Sequence, residues 1–298
     1  MLQGMIRKGV GGFYYVETEQ GIYASKARGL FRKRGESPLV GDVVQIEVTH
    51  EGDKEAYIKA ILPRRNSLIR PPVANLERLF VVAALQNPAP STLMIDKMIA
   101  ICEKKGIDPV VVLNKCDLGD GAPLEKTYRE AGFEVVLTSA FDGTGMDRLS
   151  ALIEGKLCAF AGHSGVGKSS LLNRLEPKAL AEVGSLSQKL ERGKHTTRHV
   201  EIFTCAGGYL ADTPGFGDLS TERFETVYKE ELFSCFREFE PYFGACRFVG
   251  CQHDKEPDCA IKQAVLQGAI APSRYESYRA MLYDVKDIKE WEIDDHQG

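Results

Sequence analysis

One stretch decides the fold of this chain: Gly162-His163-Ser164-Gly165-Val166-Gly167-Lys168-Ser169. It fits the pattern G-x-x-x-x-G-K-[ST], it follows the apolar run 157–161, and it precedes a helical run that begins at Ser170. Glycines let backbone N–H groups turn towards phosphate oxygens, a lysine reaches the β- and γ-phosphates, and a hydroxyl binds Mg²⁺. The stretch therefore predicts a nucleoside triphosphate site at residues 162–170, with Lys168 on the phosphates and Ser169 on magnesium.

Apolar strands alternate with helical patterns on both sides of this turn, between residues 76 and 215. The strand 110–113 is entirely apolar, as buried parallel strands are. Such a βαβ series predicts an α/β fold with a doubly wound parallel sheet. A helix is expected near 91–105, and the expected strands are 79–84, 110–113, 135–137, 157–161 and 209–211.

Two further segments complete the expected phosphate site. Asp212-Thr213-Pro214-Gly215 follows a strand, so Asp212 can hold Mg²⁺ through water and Gly215 can donate its N–H to the γ-phosphate. The loop 192–199 is polar and rich in hydroxyl groups, which is typical of a segment whose threonine completes the magnesium shell only with triphosphate bound. The residues leave open whether that ligand is Thr196 or Thr197, and an ordinary basic surface loop is the alternative.

The expected base site lies at two other strand ends. Asn114-Lys115-Cys116-Asp117 ends the strand 110–113, where Asp117 can accept hydrogen bonds from guanine N1–H and N2–H₂ together. Adenine cannot offer that pair of donors. Asn114 is expected to support the loop and the Lys115 stem to pack over the base, while Ser139 and Ala140 can present a backbone N–H to guanine O6. These residues predict guanine specificity.

The order of these motifs along the chain is unusual. In Ras-like GTPases the phosphate loop comes first and the base-reading N-K-x-D motif comes later. In this chain Asn114–Asp117 and Ser139–Ala140 precede the phosphate loop, and Asp212–Gly215 comes last. All of them still lie at carboxyl ends of predicted parallel strands, where such sheets bind ligands. The order therefore indicates a circular permutation that keeps the site and moves the termini.

A cysteine-rich segment follows the α/β region. Cys246, Cys251, His253 and Cys259 form the pattern C-x₄-C-x-H-x₅-C, and three thiolates with one imidazole suit a closed, structural Zn²⁺ site. No export signal is recognisable, so a reducing compartment and metal binding are expected rather than disulfides. The alternative is a set of free cysteines beside an exposed histidine. The remaining cysteines are expected to be core or surface residues: 102, 116, 158, 205 and 235.

The N-terminal 70 residues differ in pattern and charge. Short β-type runs at 12–16, 43–48 and 56–58 predict a small antiparallel barrel or sandwich. This part carries twelve Lys and Arg against eight Asp and Glu, although the whole chain has a net charge of −4. Aromatic residues interleaved with basic ones, including Arg32-Lys33-Arg34, favour a polyanionic partner; a solvated basic face is the alternative. No apolar run reaches the ~20 residues of a membrane span, so a cytoplasmic protein is expected.

The ordered set of motifs resembles the bacterial small-ribosomal-subunit-dependent GTPases, a circularly permuted family, over nearly the whole chain. The resemblance implies an OB-fold over 1–68, a permuted GTPase domain over 72–220 and a helical zinc-binding domain over 221–298. It further implies hydrolysis of GTP to GDP and phosphate, stimulated by the 30S subunit during late maturation of that particle. Contacts to 16S rRNA are expected from the OB-fold and the zinc segment. We expect a monomer with one zinc ion per chain and magnesium bound with GTP.

The residue that usually orients the attacking water in GTPases has no counterpart at the same position of this chain. Ras-like enzymes orient water with a Gln directly after the DxxG motif, but Phe216 occupies that position and can neither donate nor accept. His195, in the polar loop beside the threonines, is the best candidate, and a group of rRNA is the alternative. Two other functions also stay open: a signalling or transport GTPase controlled by a protein, and a zinc-containing RNA-binding protein that GTP merely gates.

Overall fold

The computed structural model describes residues 1–27, 29, 31, 35–69, 71–176, 200–212 and 226–288. These residues form two compact units. The first contains the described parts of Met1–Leu79, Met146–His163 and Lys168–Glu225, and the second contains those of Phe80–Gly145, Ser164–Gly167 and Thr226–Gly298. Several residues with predicted roles lie outside the described residues: Arg32, Lys33, Arg34, His195, Thr196, Thr197, Gly215 and Phe216.

Strands and helices follow one another along the described chain much as the sequence predicts, and each predicted strand is confirmed with ends that differ by at most three residues. The strands are β1 (Leu2–Val10), β2 (Phe13–Thr18), β3 (Gly21–Ala27), β4 (Val43–His50), β5 (Glu55–Ile61), β6 (Ser67–Leu68), β7 (Val73–Ala74), β8 (Arg78–Ala84), β9 (Asp108–Asn114), β10 (Glu134–Thr138), β11 (Leu157–Ala161), β12 (Glu201–Cys205) and β13 (Gly208–Asp212). The α-helices are α1 (Thr92–Lys105), α2 (Ala122–Glu130), α3 (Met146–Ile153), α4 (Lys168–Leu175), α5 (Lys229–Leu232), α6 (Ala260–Leu266) and α7 (Pro272–Val285).

The first five strands form a closed barrel in the first unit. Their order is β1-β2-β3-β5-β4, and an antiparallel pairing of β4 with β1 closes the ring. Alternate side chains point inward, so the barrel core consists of apolar residues with almost no exposed surface: Ile6, Val16, Tyr23, Val44, Ile46 and Ile58. Gly4 permits the tight pairing of β1 with β2, because a Cβ atom there would lie 2.1 Å from the carbonyl oxygen of Glu17.

A sheet continues from the barrel through the rest of the first unit. Strand β1 pairs antiparallel with β12, β12 pairs antiparallel with β13, and β13 pairs parallel with β11. The sequence pattern does not predict β12. The sheet is therefore parallel at β11 and β13, as predicted, and antiparallel at the β12 edge.

The second unit holds the three other strands of the α/β part, in the order β10-β9-β8. Strands β10 and β9 are parallel, with Thr138 opposite Asn114 at their carboxyl ends. Residues 110–113 of β9 are fully buried, which explains their unbroken apolar run. Helix α1 ends at Gly106, whose left-handed conformation (φ 63°) returns the chain into β9. This arrangement places two predicted base-site segments at the same edge of the sheet.

The C-terminal segment of the second unit is helical, as predicted, and has its own apolar core. Helices α5 to α7 and the 3₁₀ turns at 233–235 and 237–242 surround buried aromatic and aliphatic side chains: Leu232, Phe236, Phe239, Ile261, Tyr278 and Leu282. Ala100 of α1 belongs to the same cluster. Among the described helices, none is both long and apolar enough to cross a membrane.

A buried ion network holds α7 against α1. The Arg274 guanidinium is 1% exposed, and it donates to Asp96 at 2.6 Å and to Glu238 at 2.6 and 3.1 Å. It also lies over the ring of Phe236, 4.5 Å from the centroid. Both carboxylates are almost completely buried, so each depends on this cation for charge compensation.

Replacement of Arg274 by Met is expected to lower the free energy of unfolding by about 3–5 kcal/mol, because Asp96 and Glu238 would remain buried without their cation. Urea denaturation measures this change. The control is Arg247→Met, which removes a surface pair with Asp258 and is expected to cost no more than about 1 kcal/mol. Equal effects of the two substitutions would contradict a structural role for the buried network.

Candidate nucleotide and metal sites

The predicted phosphate loop lies at a strand-to-helix turn, as its motif requires. It leaves β11 at Gly162, and α4 begins at Lys168. The Lys168 ammonium donates to the carbonyl oxygens of Gly162 (2.6 Å) and His163 (2.9 Å), and burial lowers the pKa of this lysine. These two carbonyls hold the ammonium over the loop. Five positions around it are exposed: His163, Ser164, Gly165, Ser169 and Ser170.

The second half of the loop packs directly on the predicted base-reading motif. The Asn114 side chain, 1% exposed, donates from Nδ2 to the carbonyl of Val166 at 2.8 Å and accepts from Thr138 Oγ1 at 3.1 Å. Gly167 has φ 98°, and a Cβ atom there would lie 2.2 Å from Asn114 Nδ2. Only glycine permits this approach. The amide of Asn114 thus links three predicted segments of the nucleotide site.

The remaining residues of the predicted base site lie in the turns next to Asn114. Lys115 adopts a left-handed conformation (φ 60°), and the N–H of Cys116 donates to the carbonyl of Thr138 at 3.1 Å. Asp117 is exposed beyond this turn. The Ser139 N–H donates to the carbonyl of Thr144 at 3.1 Å, which fixes the turn that carries Ala140. Burial raises the pKa of the Cys116 thiol, and the nearby charges of Asp142 and Asp117 raise it further, so the thiol is neutral.

A third strand end contributes residues that sequence reasoning missed. The Lys115 ammonium donates to the carbonyl of Asn87, shortly after β8. Gly165 of the phosphate loop approaches the next residue, since a Cβ atom there would lie 3.7 Å from Pro88 Cδ. The position of Asn87 shortly after β8 could have indicated its place near the predicted base site, because β8 is the neighbour of β9 in the sheet. Its residue type could not, because Asn87 contacts Lys115 through its backbone carbonyl.

Asp212 ends β13, where the sequence placed it. Burial raises the pKa of its carboxyl group, and the negative charge of Glu201 raises it further. Glu201 lies directly opposite Asp212 across the β12–β13 pair. Serine hydroxyls and carboxylates are oxygen ligands of the kind Mg²⁺ prefers, so Ser169 and Asp212 fit the chemistry expected of them.

The four predicted zinc ligands come together in the second unit. The ligand atoms of Cys246, Cys251, His253 and Cys259 all lie within 4.8 Å of one another. The Cys246 and Cys259 sulfurs are 3.8 Å apart, and His253 Nδ1 lies 3.4 and 3.3 Å from them. Tetrahedral zinc with Zn–S bonds of about 2.3 Å separates its sulfurs by about 3.8 Å. The cluster can therefore hold a zinc ion.

Helix α7 holds the metal-ligand loop with one face. Tyr275 and Tyr278 donate their hydroxyls to the carbonyls of His253 (2.7 Å) and Gln252 (3.1 Å). Arg279 donates to the carboxylate of Asp254 at 2.8 Å. Spacings of three and four residues place these side chains on one side of a helix. The sequence contained this periodicity, but nothing in it assigned the face to the cysteine-rich loop.

The environment of the cluster favours neutral groups until a cation binds. Burial raises the pKa of Cys251 to about 12 and also raises that of Cys259, while burial lowers the pKa of His253. The backbone N–H of Ala260, at the start of α6, donates to Cys246 Sγ at 3.3 Å. Binding of zinc would therefore release protons from this site, since cysteine ligands bind as thiolates.

The fold and these motifs define a class: circularly permuted GTPases. A crystal structure described as that of YloQ, a circularly permuted GTPase, matches with a TM-score of 0.80 and 36% identity, covering 97% of this chain and 96% of that one. A structure of YjeQ from Thermotoga maritima matches with a TM-score of 0.79 and 34% identity, covering 97% and 99%.

The particular family follows from the sequence comparisons. Residues 61–222 match the RsgA GTPase family, and residues 3–58 match the RsgA N-terminal domain. A relative from Caldanaerobacter subterraneus subsp. tengcongensis, named small ribosomal subunit biogenesis GTPase RsgA, is 46% identical over 290 residues, covering 96% of both chains. This chain belongs to the RsgA GTPase family and is a GTPase, which confirms the resemblance drawn from its motifs.

Proposed function

We propose that GTP binds with its base on residues 114–117, Ser139 and Ala140, and with its phosphates on residues 162–170. The hydrogen bond from Asn114 to the Val166 carbonyl carries this proposal, because it fixes the base-reading motif against the phosphate loop. Gly167 supports it, since its backbone comes so close to Asn114 that no side chain fits. A direct link between the two motifs suits a ligand that must contact both.

Magnesium binds with GTP in this proposal. Ser169 and Asp212 would hold it, together with Thr196 or Thr197, and the Gly215 N–H would reach the γ-phosphate; both threonines and Gly215 lie outside the described residues. When bound, Mg²⁺ neutralises the charge of the phosphate oxygens. The task of this chain's residues is to hold the phosphates and to keep the Asp212 carboxylate in place.

The biological role we propose is late maturation of the small ribosomal subunit in the cytoplasm, by a monomer whose GTP hydrolysis the 30S particle stimulates. Its relatives are named small ribosomal subunit biogenesis GTPases. The N-terminal five-stranded barrel and the excess of basic residues in this part suit contacts to 16S rRNA. We assign residues 1–68 to an OB-fold RNA-binding domain, 72–220 to the GTPase domain and 221–298 to the zinc domain.

The test of this role is GTP hydrolysis with and without purified 30S subunits, with 50S subunits as the control. We expect stimulation by 30S subunits alone. Equal stimulation by both subunits would point to non-specific RNA binding. No stimulation by either would favour a GTPase controlled by a protein.

One structural zinc ion per chain is the third part of the proposal. Cys251→Ala is expected to abolish zinc binding and to lower Tm by roughly 5 °C or more, with nucleotide affinity nearly unchanged, because the metal stabilises the loop packed on α7. Metal analysis and thermal unfolding measure these effects. The control is Cys205→Ala, which also removes a thiol but should leave zinc content at one per chain. A fully folded wild-type protein without zinc would contradict the proposal.

His195 is our candidate for the group that orients the attacking water, and it lies outside the described residues. His195→Ala is expected to retain GTP binding and to lose most of the hydrolysis that 30S subunits stimulate, by about 10²-fold, as for loss of a general-base contact. Single-turnover hydrolysis with 30S subunits is the measurement, and His199→Ala is the control from the same segment. Unchanged stimulated turnover would leave a group of rRNA as the source.

A further inference from the structure

Strand β1 pairs with β4 in the barrel and also with β12 outside it. Its first half pairs with β4 inside the barrel, from Leu2 opposite Ile46 to Met5 opposite Val43. Its second half pairs with β12, with Lys8 directly opposite Glu201. The pairing of β1 with β2 shifts register between Ile6 and Lys8, where the strand leaves the barrel closure and meets β12. The barrel is therefore continuous in hydrogen bonding with the strand that precedes β13 and Asp212.

Two successive side chains of β1 hold the β12–β13 hairpin. The Lys8 ammonium lies 2.7 Å from a Glu201 carboxylate oxygen, and both groups are only partly exposed. Arg7 donates from Nε to the carbonyl of Ile202 at 2.9 Å, and its guanidinium lies over the Tyr209 ring at 4.7 Å. Arg7 also pairs with Glu17 of β2 at 2.6 Å. The barrel thus contacts both strands of the hairpin through charged groups.

Lys8, Glu201 and Asp212 form one row across three strands. Lys8 lies opposite Glu201 in the β1–β12 pair, and Glu201 lies opposite Asp212 in the β12–β13 pair. Directly opposed residues share a face, and their Cβ atoms lie about 5 Å apart. Two opposed carboxylates destabilise each other. Lys8 compensates the charge of Glu201, since its ammonium lies 2.7 Å from a Glu201 carboxylate oxygen.

We propose that Lys8 and Glu201 are positioning residues for Asp212, and that through them the barrel controls the magnesium end of the GTPase site. This inference rests on the proposed role of Asp212 in holding Mg²⁺. Separation of β1 from β12 would leave Glu201 without its cation and facing Asp212, which displaces the Asp212 carboxylate. A partner that binds the barrel and shifts β1 can thereby change how firmly Mg²⁺ and GTP are held.

The test is the affinity of the full-length protein for a fluorescent GTP analogue, measured with and without Mg²⁺. The ratio of the two affinities reports the magnesium contribution, separately from hydrolysis. Lys8→Met is expected to reduce this ratio by roughly three- to five-fold, the effect of one unfavourable opposed pair, with affinity in the absence of Mg²⁺ unchanged. Glu201→Gln combined with Lys8→Met is expected to restore the wild-type ratio, and Lys8→Arg is expected to keep it.

The matched control is Lys59→Met, which should leave the ratio unchanged. Lys59 of β5 pairs with Glu47 of β4 at 2.6 Å within the barrel, with exposure similar to that of the Lys8–Glu201 pair.

Two results for Lys8→Met would overturn the proposal. An increased ratio would mean that Lys8 acts only by long-range charge, and an unchanged ratio would mean that Lys8 has no influence on the magnesium contribution. If Lys8→Met unfolds, Lys8→Gln replaces it, because it also removes the charge that pairs with Glu201 but keeps a polar side chain; the same reduced ratio is expected, and an unchanged or increased ratio overturns the proposal. A wild-type protein with no magnesium contribution would overturn the proposed role of Asp212 itself.

Discussion

Replacement of Lys168 by Ala is expected to lower the rate of GTP hydrolysis by about 10²- to 10³-fold, as for loss of a preorganised donor to transition-state charge. The ammonium is held over the phosphate loop by the carbonyls of Gly162 and His163. Burial lowers its pKa, so the environment disfavours the charge and phosphate oxygens would compensate it. Hydrolysis under single-turnover conditions is the measurement, because it reports the chemical step without product release.

Two further variants make this result interpretable. Lys97→Ala removes a lysine of α1 that pairs with Asp284 and should keep the wild-type rate. Lys168→Arg keeps the charge but not the compact ammonium, so it should also be strongly impaired. Wild-type turnover in Lys168→Ala would remove the assignment of residues 162–170 as the phosphate site.

Replacement of Asp117 by Asn is expected to weaken GTP binding by roughly 10²- to 10⁴-fold, because two hydrogen bonds to a charged acceptor are lost or weakened. An amide both donates and accepts, so the variant should gain affinity for xanthosine triphosphate, whose base carries a carbonyl where guanine carries an amino group. Asp117 lies at the turn after Asn114, where a base can reach it. Competition between the two triphosphates for the same protein measures the switch.

The control for this switch lies three residues further along the same loop. Asp120 is also exposed, but it accepts from the backbone N–H of Ala122 at the start of α2 (2.9 Å). Asp120→Asn should keep the preference for GTP, since its task is local to the helix. Full GTP preference in Asp117→Asn would show that the base is read elsewhere.

The sequence alone determined the parts of this protein that depend on residues close to one another along the chain. An unbroken apolar run sufficed to predict β9, because a strand buried on both faces has that pattern. The glycines and Lys168 sufficed to predict the strand-to-helix turn at residues 162–167, which the structure contains; that this turn binds phosphates stays a prediction. Thiol and imidazole spacing sufficed for the cluster of Cys246, Cys251, His253 and Cys259, which the structure brings together. The order of the motifs along the chain was enough to indicate the permutation.

The tertiary structure alone decided which distant segments meet. Lys8 and Glu201 are separated by 193 residues, and β12 itself has no strong alternation that predicts a strand or its pairing with β1. Arg274 donates to Asp96, which is 178 residues away in the sequence. Nothing in the sequence distinguishes this arginine from the many other charged residues. Asn87 meets Lys115 through a backbone carbonyl, a group that every residue has. Periodicity and residue type describe neighbours along the chain, whereas these contacts depend on how the packed sheet and helices bring remote segments together.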